Sequence, residues 1–457
     1  MYIKEIGIAD VRGFHGARTF VLDLGRPDGS LAGWTVIAGR NGSGKTSLLR
    51  AVALALGGQG VAHNLVADFA SWISADAQAA HSFVRLELDP EADRFDGDFQ
   101  PDSDTFRAGL AWFGKQAEAV HRPDDQPLLV PLRFGAERGQ HDLESQTAKH
   151  GPWSNNPVGW FCAAYGPFRR LAGGSPDAHR LMTSRAPAAR MASLFHEDAS
   201  LAEGVSWLIE QHLRALEGRP GAEDLKRVAL AVLGNGLLPD GYQVERVDSE
   251  GLWVARGEHR FALREMSDGY RVVVALVVDL LKQIHDAYGG LRAEERGGSV
   301  MINAPGVVLI DEVDAHLHVS WQKRIGGWLK EHFPRIQFIV TTHSPYICQA
   351  ADANGLIRLP GPDEDVPPRI VDRDLYERVV YGSGDDAVMS ELFGLDTPYS
   401  DEAVRLRRQL VALETDVLTG RANDETVRRY EELRGRLTSS PTARVEELAA
   451  RLASDAE

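Results

Sequence analysis

Four stretches of the chain hold residue types that could do phosphate chemistry. The first reads Gly39-Arg40-Asn41-Gly42-Ser43-Gly44-Lys45-Thr46, a full match to G-x-x-x-x-G-K-[ST]. It lies between a short apolar run of strand type, 34–38, and a helical run that opens at Ser47. The glycines at 39, 42 and 44 let the backbone curl into a nest whose N–H groups face phosphate oxygens. The helix beginning there adds the positive end of its dipole. Lys45 is expected to reach the β- and γ-phosphates, and the Thr46 hydroxyl to complete the shell of a Mg²⁺ ion. The pattern is that of a nucleoside triphosphate site.

The second stretch, Val307-Val308-Leu309-Ile310-Asp311-Glu312, is a buried strand that ends in two carboxylates. Its apolar residues on both faces imply a central parallel strand, and ligands bind at the carboxyl ends of such strands. Asp311 is expected to hold Mg²⁺, and Glu312 to polarise an attacking water as general base. The third, Phe338-Ile339-Val340-Thr341-Thr342-His343-Ser344-Pro345, is another buried strand, and it delivers His343 to a polar turn where an imidazole can bond a γ-phosphate or a water. The fourth is Met266-Ser267-Asp268-Gly269-Tyr270-Arg271 ahead of a helical run, with Ser267 suited to the N-cap and the helix end to phosphate. His316-Leu317-His318 invites a metal reading, but further ligands at metal spacing are missing nearby.

These residues need a scaffold, and the remaining chain supplies one. Residues 2–24 read as two strands around a basic turn at Arg12-Gly13-Phe14-His15-Gly16. Residues 83–88 alternate like a strand, whereas 89–157 turn polar and read as an insertion of short strands and loops. Residues 161–170 form a short strand and a Gly-Pro turn with Arg169 and Arg170, followed by Arg180, Arg185 and Arg190. These arginines belong either to a solvated loop or to a basic element that faces phosphate. Helical spacing covers 199–215 and 222–233, and a hairpin joins 242–247 to 252–255. Asp363-Glu364-Asp365 reads as solvated charge in a Pro-rich loop, and three helices are expected near 401–418, 424–437 and 442–452.

The composition narrows the class. At 457 residues with 43% apolar content, two or three folding units or one large α/β domain with insertions fit the length. A net charge of −16 excludes a surface that binds polyanions as a whole and leaves only a local basic patch for DNA. Two cysteines give no disulfide framework. The longest apolar run, 272–281, contains Asp279 and falls far short of the ~20 residues of a membrane span. A cytoplasmic protein with no membrane partner is expected.

GRNGSGKT, MSDGYR, VVLIDEVDAHLH and TTHSP, in that order, resemble an ABC-type ATPase head. The branch is that of RecF, the structural-maintenance-of-chromosomes proteins and the overcoming-lysogenization-defect nucleases. The resemblance implies an α/β P-loop NTPase with a mixed central sheet, inserted β, loop and helical segments, and a helical C-terminal tail. The expected divisions are 1–88, the insertion 89–157, the remainder of the head at 158–360 and a helical region 361–457. It also implies a head-to-tail dimer around two ATP molecules. Arg12 would approach the nucleotide together with residues 39–47, so that Gly39, Arg40, Asn41, Gly42, Ser43, Gly44, Lys45, Thr46 and Ser47 form the ATP site. Ser267, Asp268 and Gly269 would act in trans, Asp314 would form the D-loop, and Glu312 and His343 would be catalytic. The usual Leu-Ser-Gly-Gly-Gln signature is replaced by Met266-Ser267-Asp268-Gly269-Tyr270, which points away from membrane transporters, and the Q-loop glutamine is not placed.

No long heptad arm separates the motifs. The compact head with its YGPFRR segment and helical tail resembles the ATPase component of antiphage systems such as Septu, whose partner is a separate HNH-type nuclease. Three functions follow from these readings: an ATPase that gates a nuclease effector, a RecF-type repair ATPase that binds DNA itself, and an ATP-bound scaffold.

Overall fold

The computed structural model describes residues 1–114, 127–134, 142–169 and 187–437. Apolar side chains turned to one side build the first sheet. β1 (Tyr2–Ala9) buries Ile3, Ile6 and Ile8, and β2 (Phe20–Asp23) returns antiparallel with Phe20 and Leu22 inward. β3 (Gly33–Ala38) leaves for a second sheet, and the chain comes back through β4 (Ala79–Glu87), whose even alternation of buried and half-buried residues marks a strand with one face covered. β5 (Thr105–Phe113) pairs with β4 along its whole length, and β6 (Leu128–Pro131) completes the antiparallel order β2-β1-β4-β5-β6. The segment 89–157 therefore supplies two strands to the sheet begun by β1, together with a helix at Leu143–His150 capped by Asp142.

The second sheet positions the chemistry. β7 (Cys162–Tyr165) lies at its edge. A meander of β8 (Gln243–Asp248), β9 (Gly251–Arg256) and β10 (His259–Ala262) forms a separate small sheet, and β11 (Ala293–Arg296) with β12 (Ser299–Ile302) makes a hairpin. β13 (Gly306–Ile310) and β14 (Ile336–Thr342) are buried at every residue, as strands covered on both faces must be. β15 (Leu356–Arg358) and β16 (Arg369–Ile370) complete the order β16-β15-β3-β14-β13-β7. All neighbours run parallel except β16 against β15, so the central sheet is mixed, as expected.

Register fixes which motifs meet. Ala38 pairs with Thr342, Ile310 with Val340, and Ile310 with Tyr165. The residues that follow β3, β13 and β14 therefore emerge together at the carboxyl edge. The helix Lys45–Leu65 behind the loop is apolar nearly all round and buries an unbroken run from Leu48 to Gly58 apart from Arg50. Such a helix must be covered on all sides. It contacts β4 and β5 of the first sheet and β13 of the second.

The long helix Asp268–Tyr288 carries the buried Asp279, which accepts a 2.9 Å hydrogen bond from Tyr165 Oη. The described chain divides into two compact units, Met1–Gly394 and Leu395–Glu457. The second holds helices Asp401–Leu418 and Asp424–Arg436, which pack on each other, and the helix expected near 442–452 lies outside the described residues. No helix among the described residues is long and apolar enough to cross a membrane.

Candidate active site

The phosphate loop runs from the end of β3 into the helix Lys45–Leu65. Gly42 and Gly44 adopt φ of +77° and +100°, and Gly44 serves as the N-cap. A side chain at Gly44 would also collide with the Phe14 ring, so both conformation and space demand glycine there. Lys45 is nearly buried and donates from Nζ to the carbonyls of Gly39 (2.8 Å) and Arg40 (3.1 Å). Burial draws its ammonium down to about 8, against the opposing pull of Asp311, Glu312 and Asp314. A desolvated cation of this kind gains most from an incoming anion. Ser43 Oγ is buried without a partner inside the same loop, and Asn41 is exposed at its tip.

Asp311, fully buried, joins the loop to the central strands. It accepts from Thr46 Oγ1 at 2.7 Å and from Thr341 Oγ1 at 2.5 Å. A threonine hydroxyl and a carboxylate side by side are hard oxygen donors of the kind Mg²⁺ prefers, so the residues present fit that ion. Glu312 follows in the left-handed region with φ of +45°, and its carboxylate makes no hydrogen bond among the described residues. Burial, then Asp311 and Asp314, raise its carboxyl above the usual range. Asp314 accepts from Thr342 Oγ1 (2.5 Å) and from the His343 backbone N–H (3.3 Å), which ties the D-loop position to the β14 turn. Burial and the nearby Lys45 hold the His343 imidazole below its usual value, hence neutral at pH 7.

Arg12 lies on the other side of the loop. It donates to Ser47 Oγ at 3.2 Å and stacks 4.4 Å from the Trp72 ring centroid. Arg40 turns outward to Asp363 and Glu364, and Arg18 donates to the carbonyls of Ser43, Pro360 and Gly361 at 2.7–3.1 Å. Residues 359–364 thus lie as a strap along the phosphate loop. Two of the three acids expected to be solvated are ion-paired here, because a partner 323 or 324 residues away leaves no trace in local composition.

Ser267, Asp268 and Gly269 open the helix Asp268–Tyr288 in a different place. They line a cleft of about 430 Å³ with His316, His318, Tyr270 and Trp321, and no phosphate-loop residue lines it. Ser267 holds the N-cap position, but its hydroxyl makes no cap bond and stays exposed. Asp268 pairs with Arg271. A Cβ on Gly269 would lie 2.6 Å from the His316 carbonyl, so glycine lets the signature helix touch the loop after Asp314. His318 accepts from the Ser320 N–H and caps the short helix Val319–Gln322.

The arginines read as belonging either to a solvated loop or to a phosphate-facing element are not solvated where the structure describes them. Arg169 is buried and bonds to main-chain carbonyls, and Arg190 is buried with its guanidinium 5.8 Å from the Phe161 ring. Arg170, Arg180 and Arg185 lie outside the described residues. Reading the sequence missed Thr341, Thr342, Trp72 and Arg18, although both threonines stand in the same run as His343.

Two family models match the chain, one described as "AAA domain" over residues 5–87 and one as "AAA domain, putative AbiEii toxin, Type IV TA system" over residues 208–349. Each part of the chain is thus similar to an AAA domain. The first match contains the phosphate loop, and the second contains Ser267, Asp268, Gly269, Asp311, Glu312 and His343.

Over 347 residues the chain is 24% identical to the Septu protein PtuA of Bacillus mycoides (strain KBAB4), covering 75% of this chain and 38% of that protein. It is 31% identical over 170 residues to the Septu protein PtuA of Bacillus thuringiensis, covering 35% and 40% of the two chains. A third relative, named "Retron Ec83 probable ATPase", from Escherichia coli, is 34% identical over 23% of this chain and 18% of its own. The chain thus spans only 38% and 40% of the length of the two Septu relatives. Among solved structures, an Smc head bound to the C-winged helix domain of ScpA aligns at a TM-score of 0.45 and 17% identity, over 81% of this chain and 98% of that one.

Proposed function

We propose that this chain binds and hydrolyses ATP with Mg²⁺, dimerises head to tail around the nucleotide, and controls a separate nuclease effector of HNH type in bacterial antiphage defence. The observation that carries the ATPase reading is the bonded chain Thr46–Asp311–Thr341, which joins the phosphate loop to both catalytic strands and leaves the Glu312 carboxylate free. The names of the Septu and retron relatives support the defence reading.

In this reading Thr46 and Asp311 hold Mg²⁺, which supplies charge neutralisation at the phosphates. Lys45 leaves the Gly39 and Arg40 carbonyls to bind the β- and γ-oxygens. Arg12, Asn41, Ser43 and Ser47, with the loop glycines, surround the phosphates, and Arg40 contributes its main chain while its side chain turns to Asp363 and Glu364. Glu312 orients a water and takes its proton, and its raised carboxyl suits a base that must desolvate to act. Neutral His343 donates to the same water or to the γ-phosphate. Ser267, Asp268 and Gly269, placed in a cleft away from their own phosphate loop, reach the nucleotide of the other copy.

Glu312→Gln tests the chemistry. It keeps shape while removing the base, so ATP binding should persist and steady-state phosphate release should fall by roughly 10²-fold or more. Unchanged turnover in the folded variant would reject Glu312 as the base. Copurification with a coexpressed HNH-type nuclease, measured as the mass of the complex, tests the effector.

A further inference from the structure

The main chain of the turn that presents Glu312 is held from two sides, by the neighbouring strands and by a buried side chain. The Asp311 N–H donates to the Tyr165 carbonyl at 2.8 Å, the Glu312 N–H to Thr341 Oγ1 at 2.8 Å, and the Val313 N–H to the Thr341 carbonyl at 3.0 Å. From the other side, the Arg169 guanidinium donates to the carbonyls of Asp311 at 3.0 Å, Glu312 at 2.9 Å and Val313 at 3.5 Å. Each backbone donor and acceptor of these three residues is engaged.

Three features argue that this holding serves Glu312 and not the turn alone. Glu312 has φ of +45°, a conformation that a residue with a Cβ keeps only where its surroundings enforce it. Its carboxylate has no bonding partner among the described residues, so its aim depends on the main chain beneath it. Arg169 is 1% exposed, and a buried guanidinium is costly when an apolar side chain could fill the same space. It is drawn down to about 10 by burial, still charged at neutral pH, with Asp311, Asp314 and Glu312 as counter-charges.

We infer that Arg169 and Thr341 are positioning residues for the proposed hydrolysis: they clamp the turn after β13 so that the Glu312 carboxylate is aimed at the attacking water without being tethered itself. Thr341 has the further task of fixing Asp311, since one hydroxyl accepts from the Glu312 N–H and donates to Asp311 Oδ1. The two acids are thereby locked to each other through a single side chain from the neighbouring strand. This inference rests on the ATPase reading above.

Thr341→Val and Thr341→Ser separate positioning from folding. The valine keeps shape and strand propensity but loses the hydroxyl, and the serine keeps the hydroxyl. Thr341→Val should lose about 10²-fold in kcat, as expected for a misaimed group. KM, the affinity for a non-hydrolysable ATP analogue and the melting temperature should stay close to wild type. Thr341→Ser should recover most of the turnover.

For the other side of the turn, Arg169→Ala should lose kcat in the same way and regain part of it when guanidinium is added at concentrations that leave the wild type unaffected. Wild-type kcat in Thr341→Val overturns the inference. So does a loss of kcat matched by equal losses of analogue affinity and melting temperature in both Thr341→Val and Arg169→Ala, because that pattern means a fold role. Wild-type turnover in Glu312→Gln would instead reject the base, and the inference would fall with the ATPase reading and not by its own test.

Discussion

Lys45 shows how a single side chain can be prepared for a ligand. Its ammonium is nearly buried, satisfied by two carbonyls of its own loop, and weakened by desolvation. Removing it costs the fold only those local bonds, whereas it costs a bound triphosphate a charge-assisted contact of about 1.5–3 kcal/mol. Lys45→Ala should therefore stay folded and bind ATP ~10- to 100-fold more weakly, as measured by titration with a fluorescent nucleotide. Equal affinity would defeat the assignment of the loop. The residues that make contact through their own motif, Lys45, Thr46, Asp311 and Glu312, were legible because their chemistry is written in consecutive positions. Arg169 was legible only as a basic residue, since nothing in YGPFRR says that its acceptors are carbonyls about 140 residues away.

The elements were read most easily where periodicity is strong. Buried runs became the parallel strands β3, β13 and β14, alternation became β2 and β4, and Ile3, Ile6 and Ile8 became β1 across a register shift between Ile3 and Glu5. The segment after β4 reads only as short strands and loops, with β5 not delimited, because its run TFRAGLAWF lies among residues rich in Asp, Pro, Gly and Gln and its pairing partner is not visible in sequence. The contact between the signature helix and the loop after Asp314 is another product of tertiary structure. Gly269→Ala places a Cβ 2.6 Å from the His316 carbonyl and should push the helix end from its seat. The expected result is a protein that binds ATP as before but hydrolyses it several-fold more slowly, with a melting temperature lowered by a few degrees, the shift expected for a clash of about 1 kcal/mol. Normal turnover would show that the helix end does not need this seat.

For the whole molecule, the separation of the signature cleft from the phosphate loop bears on assembly. In the proposed head-to-tail dimer, a Ser267→Arg subunit keeps its own phosphate loop and binds ATP, yet blocks the helix end meant for the other subunit. Mixing it with Lys45→Ala subunits leaves one composite site with both lesions and one with an intact Lys45 facing an intact Ser267. Activity should return in part on mixing, although each variant is inactive alone, and light scattering should show a mass that depends on ATP. No recovery together with a constant mass would refute the composite site.

The strap at 359–364 governs how the phosphate loop breathes. Arg18 holds both strands of this contact at once, and Arg40 crosses from the loop to Asp363 and Glu364. Segments joined in this way open together, as one cooperative unit. Amide hydrogen exchange should then give residues 40–44 and 359–364 a common opening rate, and Arg18→Met should accelerate both segments while leaving the amides of β13 slow. Independent rates would mean that the strap merely lies beside the loop; a shared rate would make the chain after β15 a timer for access to the phosphate site.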